Sequence, residues 1–242
     1  MSLPAFRFKK FSVEQEGAAQ PLGTDAVLLG AWADVQGARR FLDIGTGTGV
    51  VALMIAQRLS GTPNWDGLGI EIHPPSAELA RENFADSPWA ERLDIWAGSI
   101  QEFAQNIADH YDLIVSNPPF FSELTTSPDK ARSLSRHTAS LSPGDLLACV
   151  SQLLTAEGKF CVILPEREGQ RLCELAVPQG LYWTRITEVR SRPGKPVERL
   201  LLQFEKSPYD FERADISIYG GKTGEGYSGE FQEFTRDFYL GD

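Results

Sequence analysis

The order of apolar runs along the chain predicts an α/β fold: a single doubly wound, seven-stranded, mostly parallel sheet with an antiparallel last hairpin. Short apolar runs alternate with helical patterns from residue 41 onward, which is the order of parallel strands joined by crossover helices. A glycine-rich loop follows the first of these strands and opens a helix, as in nucleotide-binding sheets. The turn at residues 192–196 is too short for a crossover, so the strands on either side of it should be antiparallel.

The expected elements fill the chain without an interdomain linker, so we predict one domain over residues 1–242. Within it, residues 1–34 form an N-terminal lid segment with a helix near 25–34, residues 35–206 form the core, and residues 207–242 form a C-terminal extension packed on the core. The expected strands are 41–45, 67–72, 92–97, 111–116, 158–164, 183–190 and 197–205, and the expected helices are 49–59, 75–85, 100–107, 143–155 and 166–177.

Aromatic residues near the end of the chain recur at helical spacing: Tyr227, Phe231, Phe234 and Phe238. Rings on one face of a helix are usually part of a core. We therefore interpret them as a closing helix packed on the sheet, in preference to a stacking surface for bases.

The composition is that of a globular domain, since 42% of the 242 residues are hydrophobic. No apolar run is long enough to cross a membrane, and no apolar signal core follows the basic N-terminal residues, so we expect a cytoplasmic protein. Cys149, Cys161 and Cys173 lie in apolar contexts without metal-ligand spacing, and the three histidines are scattered, so we predict no metal site. The oligomeric state stays open, with a monomer favoured.

The net charge of −10 opposes a nucleic-acid partner, because such affinity depends on neutralising phosphates. The charge is unevenly distributed, however: residues 1–10 carry +3 and residues 130–206 carry +4, whereas residues 11–129 carry −12 and residues 207–242 carry −5. The positive segments are those expected near the mouth of the site. A solvated face is the alternative interpretation of each cluster.

The glycine loop has its glycines at alternate positions, Gly45, Gly47 and Gly49, with Asp43 two residues before the first. Glycines allow a tight turn and a close approach of the backbone to a ligand. The spacing differs from the Gly-x-Gly-x-x-Gly of pyrophosphate binders, and a carboxylate at Asp43 would repel a pyrophosphate and suit a cation. The loop, including Thr46, therefore favours S-adenosyl-L-methionine, whose sulfonium and ammonium groups are positive, over NAD.

Two further strand ends carry polar residues. Glu71 ends the second strand, 28 residues after Asp43, where the acid of this architecture binds the ribose hydroxyls of the cofactor; a solvated glutamate is the alternative. Asn117-Pro118-Pro119-Phe120 closes the apolar run 111–116. A rigidly held asparagine at that place can present its amide to a planar nitrogen group, whereas the alternative is a strand followed by a proline turn.

These segments together resemble a known family. The sequences at 43–49, 69–72 and 117–120 resemble, in order and spacing, the motifs of class I S-adenosylmethionine-dependent methyltransferases, and Asn-Pro-Pro-aromatic is typical of the branch that methylates planar amino nitrogens. The segments 6–9, 22–32 and 227–240 extend the resemblance, over almost the whole chain, to the bacterial tRNA1(Val) adenine-37 N6-methyltransferase family. The resemblance implies a Rossmann-like fold, S-adenosyl-L-methionine as cofactor, and the N6 amine of adenosine 37 in the tRNA1(Val) anticodon loop as methyl acceptor.

The chain departs from the methyltransferase pattern after its third strand. Methyltransferases usually place an acid there, near the cofactor adenine, whereas this chain has Ser99 between Gly98 and Ile100. A serine hydroxyl can still hydrogen-bond an adenine amine, so Ser99 is a candidate for a weaker cofactor contact.

The expected chemistry needs two hydrogen-bond acceptors for one amine. An adenine amine is a poor nucleophile because its lone pair is delocalised into the ring. The Asn117 side-chain oxygen and the Pro118 carbonyl would accept both amine hydrogens and localise that lone pair. Phe120 would stack on the flipped-out base, and Phe121 would form a second wall.

The remaining candidates concern the substrate. The loop 121–142 is long and basic at its end, and we interpret it as a substrate clamp. The residues expected to contact RNA are Lys130, Arg132, Arg136, His137, Arg192 and Lys195. Asp25 has two interpretations, a position near the methionine end of the cofactor or an N-cap of the helix 25–34.

Other functions stay open at this point. The same asparagine would serve another RNA base amine or the side-chain amide of a protein glutamine, although glutamine methyltransferases usually carry an N-terminal helical domain and a tyrosine after the two prolines. A non-catalytic RNA-binding module is disfavoured by the intact Asp43, Glu71 and Asn117. DNA is a further candidate substrate, and the negative charge of residues 11–129 disfavours it.

Overall fold

A computed structural model describes residues 4–119, 141–208, 211–221 and 226–240 of the chain. The strands are β1 (Phe6–Arg7), β2 (Ser12–Val13), β3 (Arg40–Ile44), β4 (Asp66–Glu71), β5 (Leu93–Ala97), β6 (Tyr111–Ser116), β7 (Leu154–Pro165), β8 (Tyr182–Arg190), β9 (Arg199–Glu205) and β10 (Glu212–Ser217). The helices are α1 (Thr24–Trp32), α2 (Val50–Leu59), α3 (Pro74–Ala85), α4 (Ile100–Asn106), α5 (Pro143–Leu153), α6 (Glu166–Ala176) and α7 (Gly229–Thr235).

The central sheet has the order β10-β8-β9-β7-β6-β3-β4-β5. Only β9 runs against its neighbours, and it pairs antiparallel with both β7 and β8. The predicted mostly parallel sheet and antiparallel hairpin are therefore confirmed. Because β3 has β4 on one side and β6 on the other, the order reverses at β3, and ligands bind at the carboxyl ends of strands beside such a reversal.

The predicted number of strands is wrong, since the sheet has eight strands within the described residues. The additional strand is β10, which pairs parallel with β8 from Glu212 opposite Arg185 to Ser217 opposite Arg190. The sequence analysis assigns this segment to an extension packed on the core. Only its last two residues are buried, so this edge strand lacks the apolar alternation on which sequence assignment depends.

Each face of the sheet is covered by its own helices. Neighbouring residues of one strand point into different apolar clusters, as Phe41 and Leu42 of β3 do. The first cluster takes in α1, α2, α3 and α7, and the second takes in α4, α5 and α6. Strands buried on both faces read as continuous apolar runs, which is why the central strands were predictable.

Helix α1 is a core helix. Its residues Val27, Leu28 and Leu29 are fully buried, and the Trp32 indole donates a hydrogen bond of 2.8 Å to the Thr187 hydroxyl on β8. The helix also approaches α2 closely, because a Cβ added at Gly30 would lie 2.7 Å from the Met54 sulfur. The segment predicted as a lid thus contributes a helix to the packed interior.

The C-terminal aromatic residues do not share one helix. Phe231, within α7, is fully buried, as the closing-helix interpretation predicts. Phe238 is also buried but lies beyond the end of α7. The interpretation is wrong for Tyr227, which precedes α7 and is exposed, because α7 begins only after its N-cap Ser228.

Candidate active site

Three of the predicted motifs lie at neighbouring strand ends. The glycine loop follows β3, Glu71 is the last residue of β4, and Asn117 directly follows β6. Since β4, β3 and β6 are adjacent and parallel, their carboxyl ends meet at one edge of the sheet. The reversal of strand order at β3 places the candidate site there.

The glycine loop forms an open cradle. Gly45, Gly47 and Gly49 all have positive φ, at 72°, 57° and 83°, which side chains rarely tolerate. A Cβ at Gly49 would also lie 2.5 Å from the Phe84 ring of α3, whereas a Cβ at Gly45 or Gly47 would meet nothing within 4 Å. Gly49 is therefore a packing position, and the first two glycines border open space that a ligand can occupy.

Asp43 supports the glycine loop through hydrogen bonds from its buried side chain. Its side chain is 1% exposed, and its Oδ2 accepts hydrogen bonds from the Thr46 hydroxyl at 2.7 Å and from the Ala52 amide at 3.2 Å. Burial raises the pKa of Asp43 to about 7, with the charge of Glu71 adding to the rise and the two hydrogen bonds opposing it. A nearby cation would favour the ionised form.

Glu71 joins the loop to the end of β4. Its Oε2 accepts a hydrogen bond of 2.9 Å from the Gly47 amide, and its Oε1 accepts one of 2.8 Å from the His73 amide. Each carboxylate oxygen has a further lone pair, so the group can still accept hydrogen bonds from two ribose hydroxyls. The predicted role of Glu71 as a ribose contact stays a prediction with compatible geometry.

Asn117 is positioned by the residue before it. Ser116 pairs with Ile44 of β3 in the sheet, and its fully buried hydroxyl donates a hydrogen bond of 2.8 Å to the Ile44 carbonyl. Asn117 therefore lies beside Gly45, the residue that follows Ile44. Its side chain is half-buried, and within the described part of the chain its amide has no hydrogen-bond partner.

Pro118 and Pro119 differ in exposure, since the first is buried and the second exposed. A buried proline with fixed φ restricts the backbone on the C-terminal side of Asn117. The role of Ser116 was missed by sequence reasoning. The available signal was a small polar residue at the end of an apolar strand.

Ser99 caps α4 in a reciprocal capping box with Glu102. Its hydroxyl accepts from the Glu102 amide at 3.1 Å and donates to the Glu102 carboxylate at 2.9 Å. The hydroxyl thus already makes two hydrogen bonds with Glu102 of α4. Its contact with a cofactor adenine stays a prediction.

Asp25 does not cap α1, so that alternative is wrong. The N-cap is Gly23, and the Asp25 carboxylate instead forms an ion pair of 2.8 Å with the Arg199 Nε. Arg199 pairs with Pro165, the last residue of β7. This ion pair therefore lies at the same edge of the sheet as the glycine loop.

The N-terminal segment is tied to the glycine loop through Asn83 of α3. The Asn83 side chain accepts a hydrogen bond from the Glu14 amide and donates to the carbonyls of Glu14 and Thr48. The Ser76 hydroxyl accepts from the Ala19 amide. Residues 14–19 thus run along α3 beside the glycine loop, an arrangement for which the sequence carried no signal.

Two of the predicted substrate contacts are described. Arg192 and Lys195 lie in the turn between β8 and β9, where the Lys195 amide donates to the Arg192 carbonyl at 3.1 Å. Because β8 runs in the direction of β7, this turn is at the carboxyl edge too. The other candidates, Phe120, Phe121, Lys130, Arg132, Arg136 and His137, lie outside the described residues.

Over the described ranges, no group of His, Cys, Asp or Glu side chains is placed to hold a metal ion. In the same ranges, no helix is long and apolar enough to cross a membrane.

The fold and the site define a class I methyltransferase. A family model, the methyltransferase small domain, matches residues 23–160. The fold is similar to that of a predicted O-methyltransferase from Agrobacterium tumefaciens, with a TM-score of 0.65 and 18% identity over 88% of this chain and 96% of that one. It is also similar to TrmN from Thermus thermophilus, with a TM-score of 0.54 and 21% identity over 75% of this chain and 48% of that one.

Sequence similarity then identifies the family within this class. The chain is 44% identical to the tRNA1(Val) (adenine(37)-N6)-methyltransferase of Yersinia enterocolitica, over 97% of this chain and 92% of that protein. It is 43% identical, over the same shares, to the protein of the same name from Yersinia pseudotuberculosis serotype O:3. The chain therefore belongs to the tRNA1(Val) (adenine(37)-N6)-methyltransferase family, as the resemblance of its motifs predicts.

Proposed function

We propose that this protein transfers a methyl group from S-adenosyl-L-methionine to the N6 amine of adenosine 37 in the anticodon loop of tRNA1(Val). The main structural support is Asn117, which is fixed beside the glycine loop by the Ser116–Ile44 hydrogen bond and has an amide without a partner in the described residues. Family membership supports the choice of substrate. A tRNA substrate also favours a cytoplasmic location.

The residues of the cradle fit this cofactor. Gly45 and Gly47 border open space, Glu71 has lone pairs for ribose hydroxyls, and the buried Asp43 offers a negative charge beneath the loop. Ser99 lies after β5, on the far side of β4, and is the proposed contact to the adenine. When bound, S-adenosylmethionine supplies an electrophilic methyl group on a positively charged sulfur.

Asn117 and Pro118 provide the acceptors that activate the amine. The Asn117 side-chain oxygen and the Pro118 carbonyl are proposed to accept one amine hydrogen each, so that the nitrogen lone pair points toward the methyl group. Placing the nucleophile is the main contribution of the protein to such a displacement. No general base is needed, because the alkylated nitrogen becomes acidic enough to lose its proton to solvent. Phe120 is proposed to stack on the base.

The direct test is methyl transfer to defined RNA. We expect incorporation of labelled methyl into tRNA1(Val) that lacks the modification, and recovery of N6-methyladenosine from the product by mass spectrometry. A matched tRNA in which guanosine replaces adenosine 37 should accept no methyl group. Methylation of other RNA but of no tRNA, or incorporation lost with protease and kept with ribonuclease, would contradict the proposal.

A further inference from the structure

Two exposed tyrosines stack on each other at the carboxyl edge of the sheet. Tyr219 follows β10 and forms an antiparallel bridge with Tyr227. Their ring centroids are 5.8 Å apart and their planes differ by 12°. The residues are 38% and 44% exposed, whereas rings with a purely structural role, such as that of Phe231, are fully buried.

The core holds this pair in place. The Tyr227 ring also stacks on Phe231 with 4.6 Å between centroids, and on Tyr239 with 6.1 Å between centroids. The Ser228 amide donates to the Ile218 carbonyl, which fixes the backbone between the two tyrosines and α7. The exposed rings are therefore pre-organised, and binding through them costs little conformational entropy.

The pair lies next to the basic turn between β8 and β9. The Tyr219 amide donates to the Ser191 carbonyl at 2.9 Å, which places the tyrosine one residue from Arg192. Arg190 forms an ion pair with Glu188. The side chains of Arg192 and Lys195, in contrast, have no hydrogen-bond or ion-pair partner in the described part of the chain.

This edge is continuous with the candidate active site. Four strand positions separate β10 from β6, or about 19 Å at the usual spacing between strands. Asn117 at the end of β6 and Tyr219 at the end of β10 therefore face the same side of the molecule within the span of a short RNA segment. Exposed rings beside unpaired cations fit single-stranded nucleic acid, whose bases stack on aromatic side chains while its phosphates meet positive charge.

We propose that Tyr219 and Tyr227 form a stacking platform for unpaired bases of the substrate RNA, and that Arg192 and Lys195 contact the phosphates of the same segment. The inference rests on the proposed function, because it assumes an RNA substrate at Asn117. It bears on the difficulty of the net charge of −10, since two cationic side chains without a partner in the described residues, those of Arg192 and Lys195, lie beside the tyrosine pair.

Ring removal tests the platform. Tyr219→Ala and Tyr227→Ala should each weaken binding of the unmodified anticodon stem-loop by about 5- to 150-fold, the range of one base–aromatic stack. Tyr219→Phe and Tyr227→Phe should bind like the wild type. The matched control is Trp183→Ala, since Trp183 is also 38% exposed but lies at the start of β8, on the opposite edge of the sheet. Cofactor affinity should be unchanged in all five variants.

Two readouts separate a stacking role from a structural one. A fluorescent adenine analogue in the unpaired part of the loop should be quenched by the wild type, and the quenching should be lost in Tyr219→Ala. Arg192→Ala and Lys195→Ala should each lower the slope of log affinity against log salt by about one, whereas Arg171→Ala, an exposed cation on α6, should not. The unfolding temperature of each variant is measured in parallel.

The outcomes distinguish the two proposals. If the wild type methylates adenosine 37 and the folded alanine variants bind RNA and quench like the wild type, the platform is contradicted and the proposed function stands. If the wild type neither binds nor methylates tRNA, the proposed function is contradicted. The platform, which rests on that function, is then contradicted with it. If Tyr227→Ala does not fold, Tyr219→Ala decides, because Tyr219 stacks only on Tyr227 within the described residues.

Discussion

The two ends of the carboxyl edge of the sheet are built in opposite ways. At β3 and β4, the charged groups Asp43 and Glu71 are buried and hydrogen-bonded to the loop that they support. At β8 and β10, the side chains of Arg192 and Lys195 have no partner in the described residues, and Tyr219 and Tyr227 are exposed. A small cationic cofactor needs a rigid, partly buried site, whereas a large polyanion needs exposed charge and rings. Asn117, at the end of β6, lies between the two.

The largest expected effect comes from removing the side-chain amide of Asn117, which lies between the two ends. Asn117→Ala should lower kcat by about 100- to 1,000-fold, because a pre-organised polar contact to the reacting group is lost. Cofactor affinity and RNA affinity should each change by less than about threefold, since the other contacts remain. Single-turnover methylation and separate titrations of cofactor and RNA measure the three quantities. Turnover that survives the substitution would show that the amide does not activate the amine.

At the glycine-loop end of this edge, the titration of Asp43 can be tested. Because burial raises the pKa of Asp43 from 3.8 to about 7, its contribution to stability is fully present below about pH 4 and is lost as the pH rises through 7. The rise corresponds to about 4 kcal/mol at most. Asp43→Asn keeps an acceptor for Thr46 and Ala52 and does not ionise.

We therefore expect the cofactor-free Asp43→Asn variant to gain between about 1 and 4 kcal/mol of unfolding free energy relative to the wild type on going from pH 4 to pH 8. Urea titrations of both proteins at the two pH values measure this difference, in which groups that titrate equally in both proteins cancel. S-adenosylmethionine should bind the variant less tightly than the wild type at pH 8. A constant stability difference across this range would show that Asp43 titrates like an exposed acid.

Glu71 gives the next largest expected effect, which should be confined to the glycine-loop end. Glu71→Ala should weaken cofactor binding by about 10- to 100-fold, because charge-assisted hydrogen bonds contribute about 1.5–3 kcal/mol. RNA affinity should stay within about twofold of the wild type, since the tyrosine and arginine side chains are untouched. The matched control is Asp66→Ala, because Asp66 begins the strand that Glu71 ends and so lies at the opposite edge. Equal losses in the two variants would contradict a specific ribose contact.

The sequence predicted the positions of the glycine loop, Glu71 and Asn117 better than it predicted the arrangement at β8 and β10, and the reason is physical. The glycine loop, Glu71 and Asn117 are local signals, because a strand end, a turn and a helix start follow one another along the chain. The Tyr219–Tyr227 pair and strand β10 depend on contacts made across the sheet. β10 pairs with β8 through backbone hydrogen bonds and only its last two residues are buried, so its side-chain pattern did not reveal it.

The smallest effect concerns Ser116, which connects the two motifs that sequence analysis found separately. Ser116→Ala removes the hydroxyl that bonds to the Ile44 carbonyl and should cost about 0.5–1.5 kcal/mol of stability. Because this bond aligns Asn117 with the glycine loop, kcat should fall by about 3- to 10-fold, while the affinities for cofactor and RNA stay near those of the wild type. Ser151→Ala is the matched control, since its hydroxyl bonds to the Gln179 carbonyl on the exposed surface. A loss of stability without a fall in kcat would show that β6 holds Asn117 in place without the hydroxyl, and the alignment would then depend on the paired strands and on Pro118 alone.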